Sequence, residues 1–258
     1  MPQIKTTGLI IKLCNLNDND RIFTILTRDY GKISVIGKGV RSQKHKCFSA
    51  MQLFCLSDFV FEKNTGMYYP VSANVSENFF DIRNSVEKVS LATYITDIVN
   101  AIPDEFPIED NYFRFILNSL YLVSKIDATK PDLIENILKY KSIFELKTVC
   151  ENGYAPSCLR CGVCNGTKNI KYFDVTQGII LCDGCSEKNS GGILYQIDNH
   201  LHRIIYQITN SDLRAVFSLD FRNVDMYNLS KITEEYLLSQ MEIGLNSLEY
   251  LKSMLKSK

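Results

Sequence analysis

The sequence has no net charge: 29 Lys and Arg stand against 29 Asp and Glu, with three His beside them. Over the whole chain, that balance argues against a nucleic-acid partner, which draws on a basic surface. No stretch approaches the ~20 apolar residues needed to cross a bilayer. The opening run Met1-Pro2-Gln3-Ile4-Lys5-Thr6 lacks the apolar segment of a secretory signal. A cytoplasmic protein with reduced thiols and no membrane partner is expected on those grounds. Motifs of catalysis are missing too. There is no P-loop, no Gly-rich dinucleotide fingerprint and no HExxH pair, so nothing reads as an active site. Asp18 and Asp20 are paired carboxylates, but their Asn neighbours mark turn chemistry. Internal repeats and low-complexity tracts are also absent. What is present is an ordinary globular composition, 45% hydrophobic and 22% charged over 258 residues. That length suggests about two domains and can bury a core without disulfide staples.

Residues 1–75 read as strands and turns. Strand candidates are 5–13, 21–27, 33–36, 53–62 and 67–73, with turns at 29–32 and 64–66 and a polar loop over 37–46. Short strands at this spacing suggest a small antiparallel barrel or sandwich. A five-stranded OB barrel is one candidate and an SH3-like barrel another, and periodicity does not separate them. After Asn78 the apolar spacing turns helical, through Ile82, Val86, Val89 and the row Leu91, Ile95, Ile98. Pro103 and Pro107 break that helix. A second helix is expected over about 109–125. A third opens after Pro131 and is ended by Gly153 and Pro156. Further on, Gly191-Gly192 leads into a helix over 193–208, a short element at 212–217 and a last helix over 230–255. The expected class is α+β: a barrel domain over 1–78, then a helical domain over 79–258 with a cysteine-bearing insertion at about 154–190.

Five of the nine cysteines lie between Cys158 and Cys185. Cys161-x2-Cys164 is followed, after 17 intervening residues, by Cys182-x2-Cys185, a spacing that suits zinc. Two tight turns can each aim two thiolates at one ion and complete a tetrahedron. Gly162 and Gly184, inside the pairs, are expected to supply positive φ for those turns. Gln177-Gly178 reads as a hairpin turn between the pairs. Cys158-x2-Cys161 matches the same spacing, so Cys158 could substitute. The run of three cysteines also matches part of an iron–sulfur pattern, but Lys168-Asn169 stands where a fourth Cys and a Pro belong. Four thiolates leave no open position, which makes the site structural. His200 and His202, at i and i+2 on a helix, point to different faces and are expected on or near the surface. Cys14, Cys47, Cys55 and Cys150 are expected to be small buried hydrophobes.

Dividing the chain changes the charge argument. Residues 1–80 hold ten Lys and Arg against six Asp and Glu, a net of +4, which leaves −4 for the rest. The excess is densest at Arg28, Lys32, Lys38, Arg41, Lys44 and Lys46, around Gly37-Lys38-Gly39-Val40-Arg41 and beside Tyr30 and Phe48. Glycines, cations and aromatics suit a groove that tracks phosphates and stacks bases.

These residues resemble a known family. The run Thr7-Gly8-Leu9-Ile10, then Asn19-Asp20-Arg21-Ile22, Leu26 to Lys32 and Gly37 to Arg41, is similar to the bacterial recombination mediator family RecO. So are Gly153-Tyr154-Ala155-Pro156 ahead of Cys161, and Gly178 to Cys185. The resemblance covers essentially the whole chain. It implies an N-terminal OB fold and a helical domain with a four-cysteine zinc site at Cys161, Cys164, Cys182 and Cys185. Cys158 falls where the family usually has an apolar residue. The region of Lys32, Lys38, Arg41 and Lys44 falls on the OB face and loop associated with DNA. Implied partners are single- and double-stranded DNA, RecR, the C-terminal tail of single-stranded DNA-binding protein (SSB) and, indirectly, RecA. The implied role is nucleoid-associated DNA repair without enzymatic chemistry: strand annealing and help in loading RecA. An acidic tail needs an apolar pocket with a basic rim, which Lys139, Lys141, Lys147 and Arg203 could supply. Two other readings follow from the residues alone: an OB and zinc-ribbon factor of transcription or translation, and an enzyme using an exposed, reactive thiol.

Overall fold

The computed structural model describes residues 3–103, 108–187 and 191–256. Pro107 and the last residues of the cysteine-bearing stretch, 188–190, lie outside them. In chain order the strands β1 Gln3–Asn15, β2 Arg21–Thr27, β3 Gly31–Gly37, β4 Leu56–Asn64 and β5 Met67–Glu77 come first. Helices α1 Val86–Ala101, α2 Asp110–Lys125 and α3 Leu133–Glu151 follow. Then come β6 Ser157–Cys161, β7 Ile170–Asp174, β8 Ile179–Cys182, α4 Asp183–Ser186 and β9 Leu194–Gln196. The chain ends with α5 Asn199–Asn210, α6 Met226–Met241 and α7 Asn246–Lys256. Two compact units result: residues 1–128 with 245–258, and residues 129–244. The change from strands to helices near residue 78 falls inside the first unit. Among the described residues no helix is long and apolar enough to cross a membrane.

In the first unit the strands close a barrel in the order β1-β2-β3-β5-β4. β1 serves two partners. Its first half, Gln3 to Leu9, pairs with β4, and its second half, from Gly8 to Asn15, pairs with β2. β3 meets β5 in parallel, Val35 opposite Tyr68. This closed five-strand ring is the OB arrangement. Inward positions alternate along the strands, so Ile10, Phe23, Ile25, Val35, Phe59 and Phe61 fill the interior. The stretch between β3 and β4 contributes more than polar loop: Val40, Cys47, Ala50, Met51 and Cys55 are buried in the same core. At the β4–β5 hairpin Thr65 (φ 46°) and Gly66 (φ 82°) both take the left-handed conformation. A two-residue turn needs that to match strand twist. Helix α1 stops at Ala101 because Ile102, before Pro103, is extended. Its buried row includes Leu91, Ile95 and Ile98, and α7 packs against it.

The second unit joins α3 and α6 to a four-stranded sheet of order β6-β8-β7-β9. Two expectations need correction. The helix expected over 193–208 is a strand and a helix. Leu194 to Gln196 pair with Asp174 to Tyr172, and α5 starts only after Asp198, whose Oδ1 accepts from Leu201 N at 2.7 Å. Pairing with β7 makes the strand, and an N-cap carboxylate sets the helix start. The single helix expected over 230–255 is two. α6 begins after Asp225, which caps Asn228 N at 3.0 Å. It ends where Glu242 turns left-handed (φ 51°) ahead of Gly244.

Between α3 and α6 lies a buried charge cluster. Lys141 Nζ is 2.8 Å from Glu145 Oε1 and 3.0 Å from Glu234 Oε2. It also donates to Ser230 Oγ at 3.0 Å, and Thr233 Oγ1 donates to Glu145 Oε2 at 2.7 Å. Lys141 is 2% exposed, so truncating it would remove a buried counter-ion from two carboxylates. Lys141→Ala is expected to cost ~3–5 kcal/mol, measured by chemical denaturation. A cost near that of an exposed pair, ~1 kcal/mol or less, would contradict this account of the cluster.

Candidate metal centre and nucleic-acid surface

Cys161, Cys164, Cys182 and Cys185 converge: their sulfurs all lie within 4.8 Å of one another. Cys161 ends β6. The turn after it is closed by Asn165 N donating to Cys161 O at 2.9 Å and Cys161 N donating to Gly166 O at 2.8 Å. The second pair sits at the junction of β8 and α4. The Cys164–Cys182 separation is 3.8 Å, the edge of a tetrahedron whose metal–sulfur bonds are about 2.3 Å. Four thiols in that arrangement can hold a metal ion.

The glycines work differently from expectation. Neither Gly162 nor Gly184 has positive φ; in the first turn that conformation falls on Asn165 (φ 58°). Gly162 is required by closeness, since a Cβ there would lie 2.6 Å from Ile179 Cδ1. Gly184 has open space around it.

Protonation follows the local donors. Burial works against the Cys161 thiolate, but N–H groups of Cys164, Cys182 and Val163 bring its pKa down to about 6. Cys185 is pushed up to about 12, first by its hydrogen bond with Cys182. Cys182 is also raised, its bond to Cys185 and burial opposing each other before Cys164 and Cys161 add their push. The backbone donors around Cys161 therefore favour its thiolate.

Cys158 stands outside the cluster. It is buried, and burial pushes its thiol to about 12. Cys150 rises to about 11 for the same reason. His200 is exposed, and His202 Nε2 lies 2.9 Å from Cys158 O, so the latter ring braces β6. Cys47 and Cys55 are buried as expected, whereas Cys14 is exposed. Its outward position on β1, opposite Ile22, puts it on the other side of the strand from the core.

The basic residues of the barrel fall into two groups at opposite ends of the β2–β3 pair. The register runs from Thr27 opposite Gly31 to Arg21 opposite Gly37, a span of roughly 20 Å. At the first end, Arg28 Nη2 pairs with Asp110 Oδ1 at 2.9 Å. Arg28 also lines a cavity of about 570 Å³ with Lys5, Thr7, Asp58 and Ser72. Lys32 Nζ donates to Val99 O at 3.2 Å, to Asn100 O at 2.9 Å and to Ile102 O. It thereby satisfies and neutralises the negative end of α1.

At the other end the segment 37–41 is pinned against the β1–β2 turn. Asp20 Oδ1 accepts from Gly39 N at 2.7 Å, Asn19 O accepts from Arg41 N at 3.3 Å, and Asn17 O accepts from Arg41 Nη1 at 3.0 Å. The Gly39 bond, then that of Asn17, holds the Asp20 carboxyl below the usual range. Lys38, Arg41, Lys44 and Lys46 are exposed. Lys38 Nζ sits 5.6 Å from the Tyr69 ring centroid, and Lys63 Nζ sits 5.3 Å from that of Tyr68.

The fold adds residues that sequence reasoning missed. Arg21 pairs with Gly37 beside Lys38, and Lys12, Thr24 and Ser34 form one cross-strand row. Outward parity along β1 could have found Lys12, but only the strand order brings Lys63 and Tyr69 to this end. In the second unit, Lys139 Nζ lies 4.9 Å from the Phe221 ring centroid, with Arg203 acting on the adjacent Asp220. Lys141 and Lys147 are buried and bonded inside, so they form no exposed rim.

A closed OB barrel with a cationic end beside Tyr68 and Tyr69, followed by helices and a sheet whose four thiols can hold a metal ion, defines a class of OB proteins with a four-cysteine ribbon. Comparison with known proteins narrows it. Residues 1–79 match the model for "Recombination protein O N terminal" and residues 83–249 that for "Recombination protein O C terminal". The DNA repair protein RecO of Acetivibrio thermocellus is 31% identical over 257 residues, covering 98% of each chain. That of Halalkalibacterium halodurans is 22% identical, covering 97% of this chain and 94% of its own. That of Alkaliphilus metalliredigens is 26% identical, covering 97% and 99%. The chain belongs to the recombination protein O family, and its role lies in DNA repair.

Metal binding must displace the thiol protons of the cluster, because only thiolates ligate. Zinc titrated into metal-free protein at neutral pH is expected to bind once per chain and release at least two protons, and to bind more weakly as pH falls. Calorimetry in buffers of differing ionisation enthalpy measures this. Binding without proton release would contradict the assignment.

Proposed function

We propose that this protein is a non-enzymatic recombination mediator that holds DNA on the barrel end built from Lys38, Arg41, Lys44 and Lys46. Lys12, Arg21 and Lys63 extend that surface. The observation that carries the reading is the pinned segment 37–41 of an OB barrel, whose Lys38 and Arg41 are exposed beside a half-buried Tyr69. OB barrels bind oligonucleotides on strands 2 and 3 and the adjoining loops, and the cationic group lies at one end of those strands and on the loop after β3. Backbone phosphates supply the affinity, so both single- and double-stranded DNA are ligands and binding weakens with salt. Neutralising two strands at one surface lowers their repulsion and promotes annealing. The four thiolates hold one Zn²⁺, which braces β6, β8 and α4 and takes no part in chemistry.

Membership of the family supports partnership with RecR and help in loading RecA onto SSB-coated strands in the bacterial nucleoid. The same membership supports contact with the acidic C-terminal tail of SSB. Relatives named for DNA repair across nearly their whole length favour this reading over an OB and zinc-ribbon factor of transcription or translation.

The combined variant Lys38→Ala, Arg41→Ala, Lys44→Ala tests the surface. Three lost phosphate contacts should weaken single-strand binding at least about tenfold and flatten the slope of log affinity against log salt by about two. Lys32→Ala serves as contrast: it should lower the melting temperature and leave that slope intact, because Lys32 anchors α1. Unchanged DNA binding in the triple variant would remove this loop from the site.

A further inference from the structure

The four ribbon sulfurs differ in what can reach them. Cys161 and Cys185 are buried, whereas Cys164 is exposed and Cys182 partly so. The two accessible sulfurs come from different knuckles and face each other at 3.8 Å. A peroxide approaching from solvent meets Cys164 first, with a second thiolate already within reach of it.

We propose that the Cys164–Cys182 edge is a thiol-modification site, at which hydrogen peroxide converts the metal ribbon into a disulfide and discharges the ion. This inference rests on the zinc reading above. The Cys164 thiolate attacks one peroxide oxygen: an S–O bond forms, the O–O bond breaks, and hydroxide leaves. The Cys182 thiolate then attacks Cys164 Sγ: the S–S bond forms, the S–O bond breaks, and a second hydroxide leaves. Two thiolates lose two electrons and one peroxide gains them. Cys161 and Cys185 remain as two ligands where a closed site needs four, so the zinc departs.

Gly166 provides a variant that spares the ligands. A Cβ built there would lie 3.2 Å from Cys164 Sγ, and the Gly166 backbone is not in the left-handed region. Gly166→Ala therefore crowds the attacking sulfur with a methyl, to which Cys164 yields by a few tenths of an ångström, without replacing a thiol.

The test uses the full chain as purified. Its zinc content is measured first, then hydrogen peroxide is added, and released zinc is followed with a chromophoric chelator. Tryptic cleavage after Arg160, Lys168, Lys171 and Lys188 places the two knuckles on separate peptides. Bridges within one knuckle and between the two are thereby distinguished. The expected result is one zinc per chain at the start, then zinc release in step with a loss of ~2 Da and a Cys164–Cys182 crosslink. Reductant and added zinc should reverse all three. Gly166→Ala with the same zinc content should release it at least about threefold more slowly, because the added methyl crowds the approach to the attacking thiolate. Absence of zinc at the start would end the zinc reading and this proposal with it. Zinc present but retained under peroxide, or bridges confined within each Cys-x2-Cys pair, would overturn the proposal alone. An unchanged release rate in Gly166→Ala would overturn Cys164 as the attacking thiol. The crosslink map of the unaltered protein decides independently of that variant.

Discussion

The first unit depends on one strand with two partners. β1 runs against β4 through its first half and against β2 through its second, and at Gly8 it pairs with both, opposite Ser57 and Thr27. A side chain at position 8 would collide with Ile25, whose Cγ2 lies 2.6 Å from where a Cβ would stand. Glycine is thus the residue that permits the strand to change partners, and the change of partners closes the ring. Closure leaves no free edge to recruit another chain. It also decides which connections share an end. The β1–β2 turn, the stretch after β3 and the β4–β5 hairpin are far apart in sequence, yet the ring gathers Asp20, Lys38, Arg41, Lys63 and Tyr69 at one place.

That gathering explains what could be read from the residues alone. Strand alternation, turn residues and the Cys-x2-Cys spacing are local signals, and they identified the five strands, the hairpin turn and the four convergent thiols. The grouping of charges is not local. Arg28 and Lys32 are close to Lys38 in sequence, but the β2–β3 register carries them to the far end, where one pairs with Asp110 and the other closes α1. Lys12 and Lys63 lie outside the basic run and join its surface only through pairing. The same logic explains the errors downstream. Ile193 to Ile197 fits a strand or a helix equally well on composition, and its partner strand β7 decides. The break at Glu242 has no proline or glycine at the residue that turns, so apolar spacing ran through it.

The ribbon shows two uses of small residues that spacing cannot tell apart. Gly162 was legible as necessary, but the reason is the closeness of Ile179 and not the turn; Asn165 takes the left-handed conformation. Cys158 shares the spacing of a ligand, yet its thiol is buried away from the other four. The balance of charge over the whole chain carries equally little meaning. It sums a barrel with a cationic end and a helical half that uses several of its lysines internally, Lys141 and Lys147 among them.

The central claim is that one barrel surface holds two DNA strands by their backbones and lets them pair. Annealing of complementary single strands, each coated with SSB, tests it most directly. Duplex formation should be accelerated well beyond the spontaneous rate at low salt, with the acceleration fading as salt rises. Annealing no faster than in the protein's absence, with both strands demonstrably bound, would contradict it.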